Sequence, residues 1–307
     1  MTNRVVIVGA GHAAGQLATS LAQHSYDGSI MLVGNEAYLP YQRPPLSKKF
    51  LAGELDVERL YVRPESFYEE AGIELRLETH IDSLDREAKH VQTDAGETIE
   101  YDKLVLALGS RVRRLRVDGT DLEGVHYLRS IEDVTAIRED FSKGARVVVI
   151  GAGYIGLEVA AVARQADLDV TVLEIADRVM SRVVSAEISD FYQIEHTNQG
   201  VKLRLATGVK SINGKKRVKS VTTSEGDDIP ADVVVIGVGI VPNTELATAA
   251  DLEVDDGIVV DERCVTSDPD IYAVGDCTLH PNAIFDRKLR LESVHNAVEQ
   301  AKTAAAN

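Results

Sequence analysis

Apolar and polar positions along this chain of 307 residues follow the pattern of short strands that alternate with helices. The β-branched run Val147–Ile150 predicts a strand, and Leu157–Ala166 is helix-prone with its apolar residues on one face. A second apolar run, Val170–Leu173, predicts the next strand. This strand–turn–helix–strand order is typical of a parallel α/β sheet.

A similar unit stands at the start of the chain. Val5–Val8 is a short apolar run that ends in glycines, Gln16–Gln23 is helix-like, and Ile30–Val33 predicts the following strand. A chain of this length also suggests about two domains. The repetition therefore predicts an α/β protein with two Rossmann-like domains.

The second unit has a glycine loop between its strand and its helix. Gly151, Gly153 and Gly156 have the spacing that dinucleotide-binding turns require. The first glycine permits the tight turn, the second lets a pyrophosphate approach, and the third lets the helix pack on the strand. The helix start offers unpaired N–H groups to phosphates. We expect this loop to hold a dinucleotide.

The residue after the second unit's last strand predicts which dinucleotide binds. Glu174 lies 23 residues after Gly151, where a carboxylate accepts hydrogen bonds from an adenosine ribose. It would repel a 2′-phosphate by about 4 kcal/mol per charge pair at intermediate dielectric. NADH is therefore favoured over NADPH, although Arg178 or Arg182 could pair with such a phosphate.

The first unit has a variant of the same loop. Gly9 and Gly11 take the first two positions, and Ala14 takes the third, which the fingerprint allows. Asn35, just after the second strand of this unit, can hydrogen-bond a ribose, and Glu36 is adjacent. Two such loops predict two dinucleotides.

Composition and charge exclude several other classes of function. The formal charge of −16 disfavours nucleic acid and anionic membrane surfaces as partners. No apolar run approaches the roughly 20 residues needed to cross a bilayer, and we expect a cytoplasmic protein. Cys264 and Cys277 match no redox or metal-binding spacing, so we expect two buried thiols and no metal site.

Three longer motifs carry a specific resemblance. They are YLPYQRPPLSKKF (Tyr38–Phe50), YIGLEVAA (Tyr154–Ala161) and RLESVHNAVEQA (Arg290–Ala301). With the two glycine loops they closely resemble the NADH-dependent ferredoxin reductases, flavoproteins that serve bacterial oxygenases. The resemblance runs from Arg4 to about Ala305 and implies the glutathione-reductase type of fold.

The resemblance also implies a domain plan. An FAD-binding domain at residues 1–112 and 245–307 would be interrupted by an NAD-binding domain at 113–244, with a linker around Asp118–Lys143. Members of the family continue into a C-terminal interface domain, which we expect to be absent from the sequence given.

Residue roles follow from the same resemblance. The residues implied for FAD are Gly9, Gly11, Ala13, Ala14, Asn35, Lys48, Ile81, Arg129, Asp276 and Val294. Those implied for NADH are Gly151, Gly153, Ile155, Gly156, Glu158, Glu174, Arg182, Gly239 and Glu292. Gly239 could equally serve only a turn between domains.

Two of these residues are implied to be catalytic. Lys48 would lie near flavin N5 and pair with Glu158, because a buried lysine needs a carboxylate partner. An ammonium there would stabilise the negative charge that develops as the flavin accepts hydride. The alternative is a solvated loop lysine.

The implied activity is that of a ferredoxin–NAD(+) reductase. Hydride would pass from NADH to FAD, and electrons would then pass singly to a 2Fe–2S ferredoxin that serves an oxygenase. The chain has no cysteine between Met1 and Arg263, which excludes the thiol relay of disulfide reductases. A rubredoxin-reductase-like enzyme and an apoptosis-inducing-factor-like redox sensor remain alternatives.

Four arginines form a basic run in this acidic chain: Arg111, Arg113, Arg114 and Arg116. Electrostatic steering would make the run a docking patch for an acidic ferredoxin. A solvated face or contacts to FAD phosphates would explain it equally.

Overall fold

The computed structural model describes residues 3–307. Contacts divide the chain into two compact units. The first comprises Met1–Gln42, Leu60–Arg111 and Val241–Asn307, and the second comprises Arg43–Arg59 and Val112–Ile240. The chain passes from the first unit to the second between Arg111 and Val112 and returns between Ile240 and Val241.

In chain order the strands are β1 (Arg4–Val8), β2 (Ser29–Val33), β3 (Ile73–Arg76), β4 (Ile81–Asp85), β5 (His90–Thr93), β6 (Thr98–Glu100), β7 (Lys103–Leu106), β8 (Ser110–Val112), β9 (Val125–Tyr127), β10 (Arg146–Ile150), β11 (Asp169–Leu173), β12 (Lys202–Arg204), β13 (Val209–Gly214), β14 (Val218–Thr223), β15 (Asp228–Pro230), β16 (Val233–Ile236), β17 (Ile240–Pro242), β18 (Val254–Asp255), β19 (Gly257–Val259), β20 (Ile271–Ala273), β21 (Thr278–Asn282) and β22 (Arg287–Leu289). The α-helices are α1 (His12–Gln23), α2 (Glu65–Glu70), α3 (Ile131–Asp140), α4 (Tyr154–Gln165), α5 (Ala186–Asn198), α6 (Glu245–Ala249) and α7 (Val294–Ala306). A π-helical turn covers Leu46–Phe50, and a 3₁₀ turn covers Val57–Arg59.

The first unit is built on a parallel sheet with the strand order β20-β7-β1-β2-β3. Strand β1 is apolar throughout its last four residues because both faces of the sheet are covered. Val5 and Ile7 pack with α1 and α7, whereas Val6 and Val8 pack with β4–β6 and α6. The predicted strands and helix of this unit are confirmed.

The second unit repeats this plan with the parallel strand order β12-β11-β10-β16-β9. Val148 and Ile150 of β10 pack against Ile212 and Val221, which belong to the antiparallel sheet β13–β15. Helices α3 and α4 pack against strands of the parallel sheet. The predicted strand–turn–helix–strand unit is confirmed.

The predicted linker around Asp118–Lys143 is wrong. These residues include β9, the edge strand of the second unit's parallel sheet, and α3, which has buried residues on one face. Ser130 and Asp133 form a capping box at the start of α3, with each side chain bonding the other residue's backbone N–H. A three-residue strand is too short for its alternation to show in the sequence.

The structure also assigns the Pro-Pro-containing loop to a unit. Residues Arg43–Arg59 belong by their contacts to the second unit, and the π-helical turn within them packs against α3 and α4. The predicted domain boundaries at 112/113 and 244/245 stay a prediction.

Membrane-spanning and metal-binding features are not seen in residues 3–307. None of the helices there combines the length and the apolarity needed to cross a bilayer. Within the same residues, no group of three His, Cys, Asp or Glu side chains could hold a metal ion. Cys264 and Cys277 are buried and unpaired, as expected.

Candidate functional site

The two glycine loops have the same backbone geometry. Gly9 and Gly151 follow β1 and β10 with φ of +111° and +103°, a region that side chains strongly disfavour. A Cβ on Gly9 would lie 2.2 Å from the carbonyl oxygen of Ala107, and one on Gly151 would lie 2.4 Å from that of Gly237. Each glycine is therefore required by the close approach of the neighbouring strand's end.

The next glycine of each loop faces open space. A Cβ on Gly11 or Gly153 would have no atom within 4 Å, and these residues are the N-caps of α1 and α4. No side chain in the described part of the chain caps either helix. The first backbone N–H groups of both helices are thus left for an anion, which is the arrangement that binds pyrophosphate.

The third position differs between the loops as the sequence indicated. A Cβ on Gly156 would lie 2.0 Å from the Gly151 carbonyl oxygen, so α4 packs directly on the glycine turn. In the first unit the equivalent residue Ala14 is fully buried, and Ala13 beside it is also buried.

A second motif meets the first loop within the first unit. Asp276 accepts a hydrogen bond of 3.0 Å from the Ser110 hydroxyl. It also acts electrostatically on His12, the first residue of α1: burial lowers the pKa of His12 and the Asp276 carboxylate opposes this. Among residues 3–307 no group hydrogen-bonds the buried Nδ1 of His12. An orphaned nitrogen beside an open helix start fits a bound phosphate ester.

The other residues implied for FAD are placed as follows. Asn35 is exposed and is the second residue after β2. Gly34 stands between them, and a Cβ added to Gly34 would lie 2.3 Å from the Cβ of Ala10 in the glycine loop. Ile81 is buried at the start of β4, and Val294 is partly exposed at the start of α7. The positions suit backbone contacts to a dinucleotide, and the assignments stay predictions.

Glu174 lies at the end of β11, beside the second glycine loop. Its two carboxylate oxygens accept hydrogen bonds from the backbone N–H groups of Ala152 (2.6 Å) and Ala176 (2.9 Å). A carboxylate has about four lone-pair sites, so acceptor capacity remains for ribose hydroxyls. The backbone contacts fix the charge at the point where an adenosine ribose would lie.

The two arginines that could pair with a 2′-phosphate have different environments. Arg178 donates to the Ser181 and Val184 carbonyl oxygens and to the Ser189 hydroxyl, at 2.8, 3.0 and 2.7 Å. It is therefore committed to holding the loop after Glu174. Arg182 instead lies beside Gly239: one guanidinium nitrogen would be 3.8 Å from a Cβ there.

Lys48 and Glu158 form the expected ion pair within the second unit. The Lys48 Nζ lies 2.8 Å from Glu158 Oε1, and the buried Ser47 hydroxyl donates to Glu158 Oε2. Lys48 also donates to the Pro44 carbonyl oxygen at 3.1 Å. The lysine side chain is 49 % exposed, so the expectation of a buried lysine is wrong for the protein alone.

Three further residues implied for the cofactors have the following surroundings. Arg129 directly precedes the N-cap of α3, and its carbonyl oxygen accepts a hydrogen bond from Arg43. Glu292 pairs with Arg290 inside the first unit. Ile155 is exposed on the first turn of α4.

The basic run is partly neutralised. Arg111 donates two hydrogen bonds to Glu245 and a further one to the Asn243 side chain. Arg114 stacks over the ring of Tyr127, 4.3 Å from its centroid. Arg113 donates to the Ile240 carbonyl oxygen at 3.4 Å. Three of the four arginines thus have intramolecular contacts, which weakens the interpretation of the run as a docking patch.

Sequence reasoning missed two buried polar residues that contact this machinery. Ser47 bonds Glu158, and Gln300 bonds the backbone of Gly275 beside Asp276. A glutamine on the apolar face of the C-terminal helix was the available signal, because α7 places Ala297, Gln300 and Ala301 together in the core.

Comparisons with known proteins agree with this geometry. The family model described as pyridine nucleotide-disulphide oxidoreductase matches residues 3–301. Rhodocoxin reductase from Rhodococcus erythropolis is 47 % identical over 303 residues, which are 98 % of this chain and 71 % of the relative. A rubredoxin-NAD(+) reductase from Pseudomonas putida is 44 % identical, covering 99 % and 79 %.

Solved structures are similar over nearly the whole chain. The covalent putidaredoxin reductase–putidaredoxin complex matches with a TM-score of 0.97 and 42 % identity, covering 99 % of this chain and 74 % of that one. These matches confirm the predicted resemblance to ferredoxin reductases and the predicted fold class. The chain belongs to the pyridine nucleotide-disulphide oxidoreductase family.

Proposed function

We propose that this chain is an FAD-dependent oxidoreductase that takes electrons from NADH and passes them to a 2Fe–2S ferredoxin of an oxygenase system. The observation that carries the proposal is the paired glycine loops, each with an open second glycine and a helix start that lacks a side-chain cap. An anthranilate 1,2-dioxygenase system ferredoxin–NAD(+) reductase component from Burkholderia cepacia is 43 % identical over 98 % of this chain.

The first unit is proposed to hold FAD. The open N–H groups of α1 are proposed to receive the pyrophosphate. Asp276, which accepts a hydrogen bond from Ser110 and acts electrostatically on His12, is proposed to contact the same cofactor. FAD supplies the chemistry that converts a two-electron hydride donor into single-electron steps. The chain's residues bind and orient it, and His12 Nδ1 offers a further polar contact.

The second unit is proposed to hold NADH. The start of α4 receives the pyrophosphate, while Glu174 accepts hydrogen bonds from the adenosine ribose and disfavours a 2′-phosphate. Arg182 and Gly239 lie together and are proposed to contact the same nucleotide. Arg178 is held by the loop itself, which removes one of the two candidates for NADPH recognition.

Lys48 and Glu158 are proposed as the catalytic pair. Ser47 and Lys48 each bond a different oxygen of Glu158, so the carboxylate is fixed and the lysine is held to one side of it. A fixed ammonium can stabilise negative charge that develops on a flavin ring during hydride transfer. The exposed half of the Lys48 side chain is the part available for that contact.

The electron route is proposed to avoid thiols, although the family is named for disulphide chemistry. Cys264 and Cys277 are the chain's two cysteines. Burial raises the pKa of Cys264 to about 12 and that of Cys277 to about 11. Because the thiolate is the reactive form, neither can act as a redox relay near neutral pH.

A rubredoxin is the second candidate acceptor. Two relatives named rubredoxin-NAD(+) reductase, from Pseudomonas putida and Ectopseudomonas oleovorans, are 44 % and 41 % identical and are each covered over 79 % of their length. Because relatives named for either acceptor match nearly the whole chain, the test supplies both acceptors.

The test uses purified protein under anaerobic conditions. Titration with NADH and NADPH in parallel, followed by cytochrome c reduction with an added 2Fe–2S ferredoxin or rubredoxin, checks donor and acceptor separately. We expect bleaching of the yellow chromophore by NADH and cytochrome c reduction that requires the ferredoxin. Protein that cannot take up FAD would refute the proposal. A slow reduction with a change of oligomeric state would instead favour a redox sensor.

We also propose a cytoplasmic location. Both cysteines are unpaired, as is usual in a reducing compartment, and the proposed donor is NADH. Fractionation of the source cells with detection of the protein in each fraction is the test. Recovery with the membrane or periplasmic fraction would contradict the proposal.

A further inference from the structure

A buried amide connects the C-terminal helix to the loop that carries Asp276. Gln300 lies on the buried face of α7 and is 7 % exposed. Its side-chain oxygen accepts hydrogen bonds from the Gly275 N–H (2.8 Å), the Thr278 hydroxyl (3.0 Å) and the Asn296 side-chain amide (3.1 Å). One acceptor atom therefore gathers three donors, two of which flank Asp276 in the sequence.

The loop itself has little freedom to compensate for a lost contact. Gly275 has φ of +87°, and a Cβ on it would lie 3.2 Å from the Cβ of Ala13 in α1. The Gly275 carbonyl oxygen accepts from the backbone N–H of Thr278 at 3.1 Å. The Thr278 hydroxyl lies 2.9 Å from this oxygen and 3.0 Å from the Gln300 side-chain oxygen, and it shares its one proton between the two acceptors. The Gly275 N–H is satisfied by Gln300, so the loop's position against α1 is set jointly by this amide and by Thr278.

The orientation of the amide is fixed and leaves one group unsatisfied. A backbone N–H can only donate, so the atom of Gln300 facing Gly275 must be the oxygen. The other atom, Nε2, is buried and has no hydrogen-bond partner among residues 3–307. A leucine would fill similar volume without that orphan. The oxygen contacts of Gln300 are therefore made together with one buried donor that has no partner among residues 3–307.

We propose that Gln300 is a positioning residue for the FAD site, acting through the Gly275–Thr278 loop to hold Asp276 beside the first glycine loop. The inference rests on the proposed function for the identity of the ligand. Asn296, which is 8 % exposed and also donates to the Leu291 carbonyl oxygen, supports the amide from the preceding turn of α7.

The test compares Gln300→Leu, which removes the acceptor, with Gln300→Glu, which retains acceptor oxygens. Thr19→Val is the matched control, because Thr19 is a buried α1 residue. Its hydroxyl donates to the Gly15 carbonyl oxygen and accepts from Arg63, and neither partner belongs to the Asp276 loop. Amide hydrogen exchange of Gly275 is measured by NMR with and without added FAD, together with the FAD dissociation constant and the flavin absorption spectrum.

In Gln300→Leu we expect Gly275 protection to fall about tenfold or more, FAD to bind about tenfold more weakly, and the flavin spectrum to shift. Gln300→Glu is expected to restore the protection, and Thr19→Val to leave all three readouts at the parent's values. If the leucine variant does not fold, Gln300→Asn, whose oxygen is withdrawn by one methylene, carries the same expectation.

Parent-like exchange at Gly275 in the leucine or asparagine variant overturns the inference, whether or not flavin binds. An equal loss in Thr19→Val also overturns it, because the effect would then be general destabilisation. Failure of the parent to bind FAD refutes the proposed function instead, and the exchange measurement still decides the role of Gln300.

Discussion

Replacing Glu174 by glutamine tests whether this carboxylate selects NADH. The change removes one charge and keeps the side-chain volume. Glu174 accepts from two backbone N–H groups, those of Ala152 and Ala176. A glutamine has one acceptor oxygen, so one of those N–H groups loses its partner, at a cost of about 1–3 kcal/mol where the group is buried.

The expected change in preference follows from electrostatics. At a separation of about 4 Å and an effective dielectric constant of about 20, each charge pair between Glu174 and a 2′-phosphate is worth about 4 kcal/mol. Glu174 is partly exposed, so solvent and salt reduce this value. We expect the ratio of kcat/KM for NADH over NADPH to fall by about tenfold to a hundredfold, which is about 1.4–2.8 kcal/mol.

The assay is stopped-flow reduction of the bound flavin by each nucleotide at two ionic strengths. Asp177→Asn is the matched control, because it removes a charge from an exposed position three residues along the same loop. We expect the control to keep the parent's ratio. If Glu174→Gln discriminates as well as the parent, the carboxylate does not select the nucleotide. A ratio that falls equally in both variants would assign the effect to the loop's overall charge.

Three further outcomes are expected. Lys48→Ala slows flavin reduction by NADH in stopped-flow traces, whereas Lys49→Ala does not. Equal rates in the parent and the Lys48 variant would show that Lys48 is a solvated loop lysine without a role in flavin reduction. Gly151→Ala abolishes measurable NADH binding, because the added Cβ would lie 2.4 Å from a carbonyl oxygen. Gly226→Ala has open space around the added Cβ and costs only a modest loss in Tm. Parent-like NADH binding by the Gly151 variant would contradict the steric argument. Hydrogen bonding to Arg146 lowers the pKa of Asp232 to about 2 from 3.8. The stabilisation by this pair is therefore present above about pH 4 and is lost as the pH falls through about 2. Over that range the Tm of Asp232→Asn should fall less than the parent's, and an equal fall would refute the assignment.

The sequence predicts those strands of the fold that appear as a continuous apolar run. The runs Val5–Val8 and Val147–Ile150 are buried on both faces of parallel sheets, so they are continuously apolar and easily identified. The sequence pattern does not identify the edge strand β9, because three residues carry no alternation, and the ten-residue helix α3 beside it is interpreted as part of the same linker. Ser130 and Asp133 nevertheless mark the start of that helix.

The candidate site divides in the same way. Glycine positions could be predicted because their reason is local: a turn with positive φ and a helix start open to an anion. The roles of Arg178 and Gln300 could not, because each depends on partners brought together by the fold. Spacing alone makes Arg178 and Arg182 equal candidates for a phosphate contact. Four hydrogen bonds of Arg178, three to carbonyl oxygens of its own loop and one to Ser189 of α5, separate the two arginines.

The loop that contains Lys48 differs from that of disulfide reductases, because it has a lysine and no cysteine. Its backbone kinks at Lys48, with φ −123° and ψ −113° inside the π-helical turn. Flanking this kink, Ser47 and Lys48 contact different oxygens of one carboxylate, Glu158. A cysteine at such a position would provide a nucleophile, whereas a lysine held by a carboxylate provides a fixed charge with no covalent route. In the proposed function, the loop therefore stabilises hydride transfer electrostatically, and the electrons leave the flavin by one-electron transfer to an external protein.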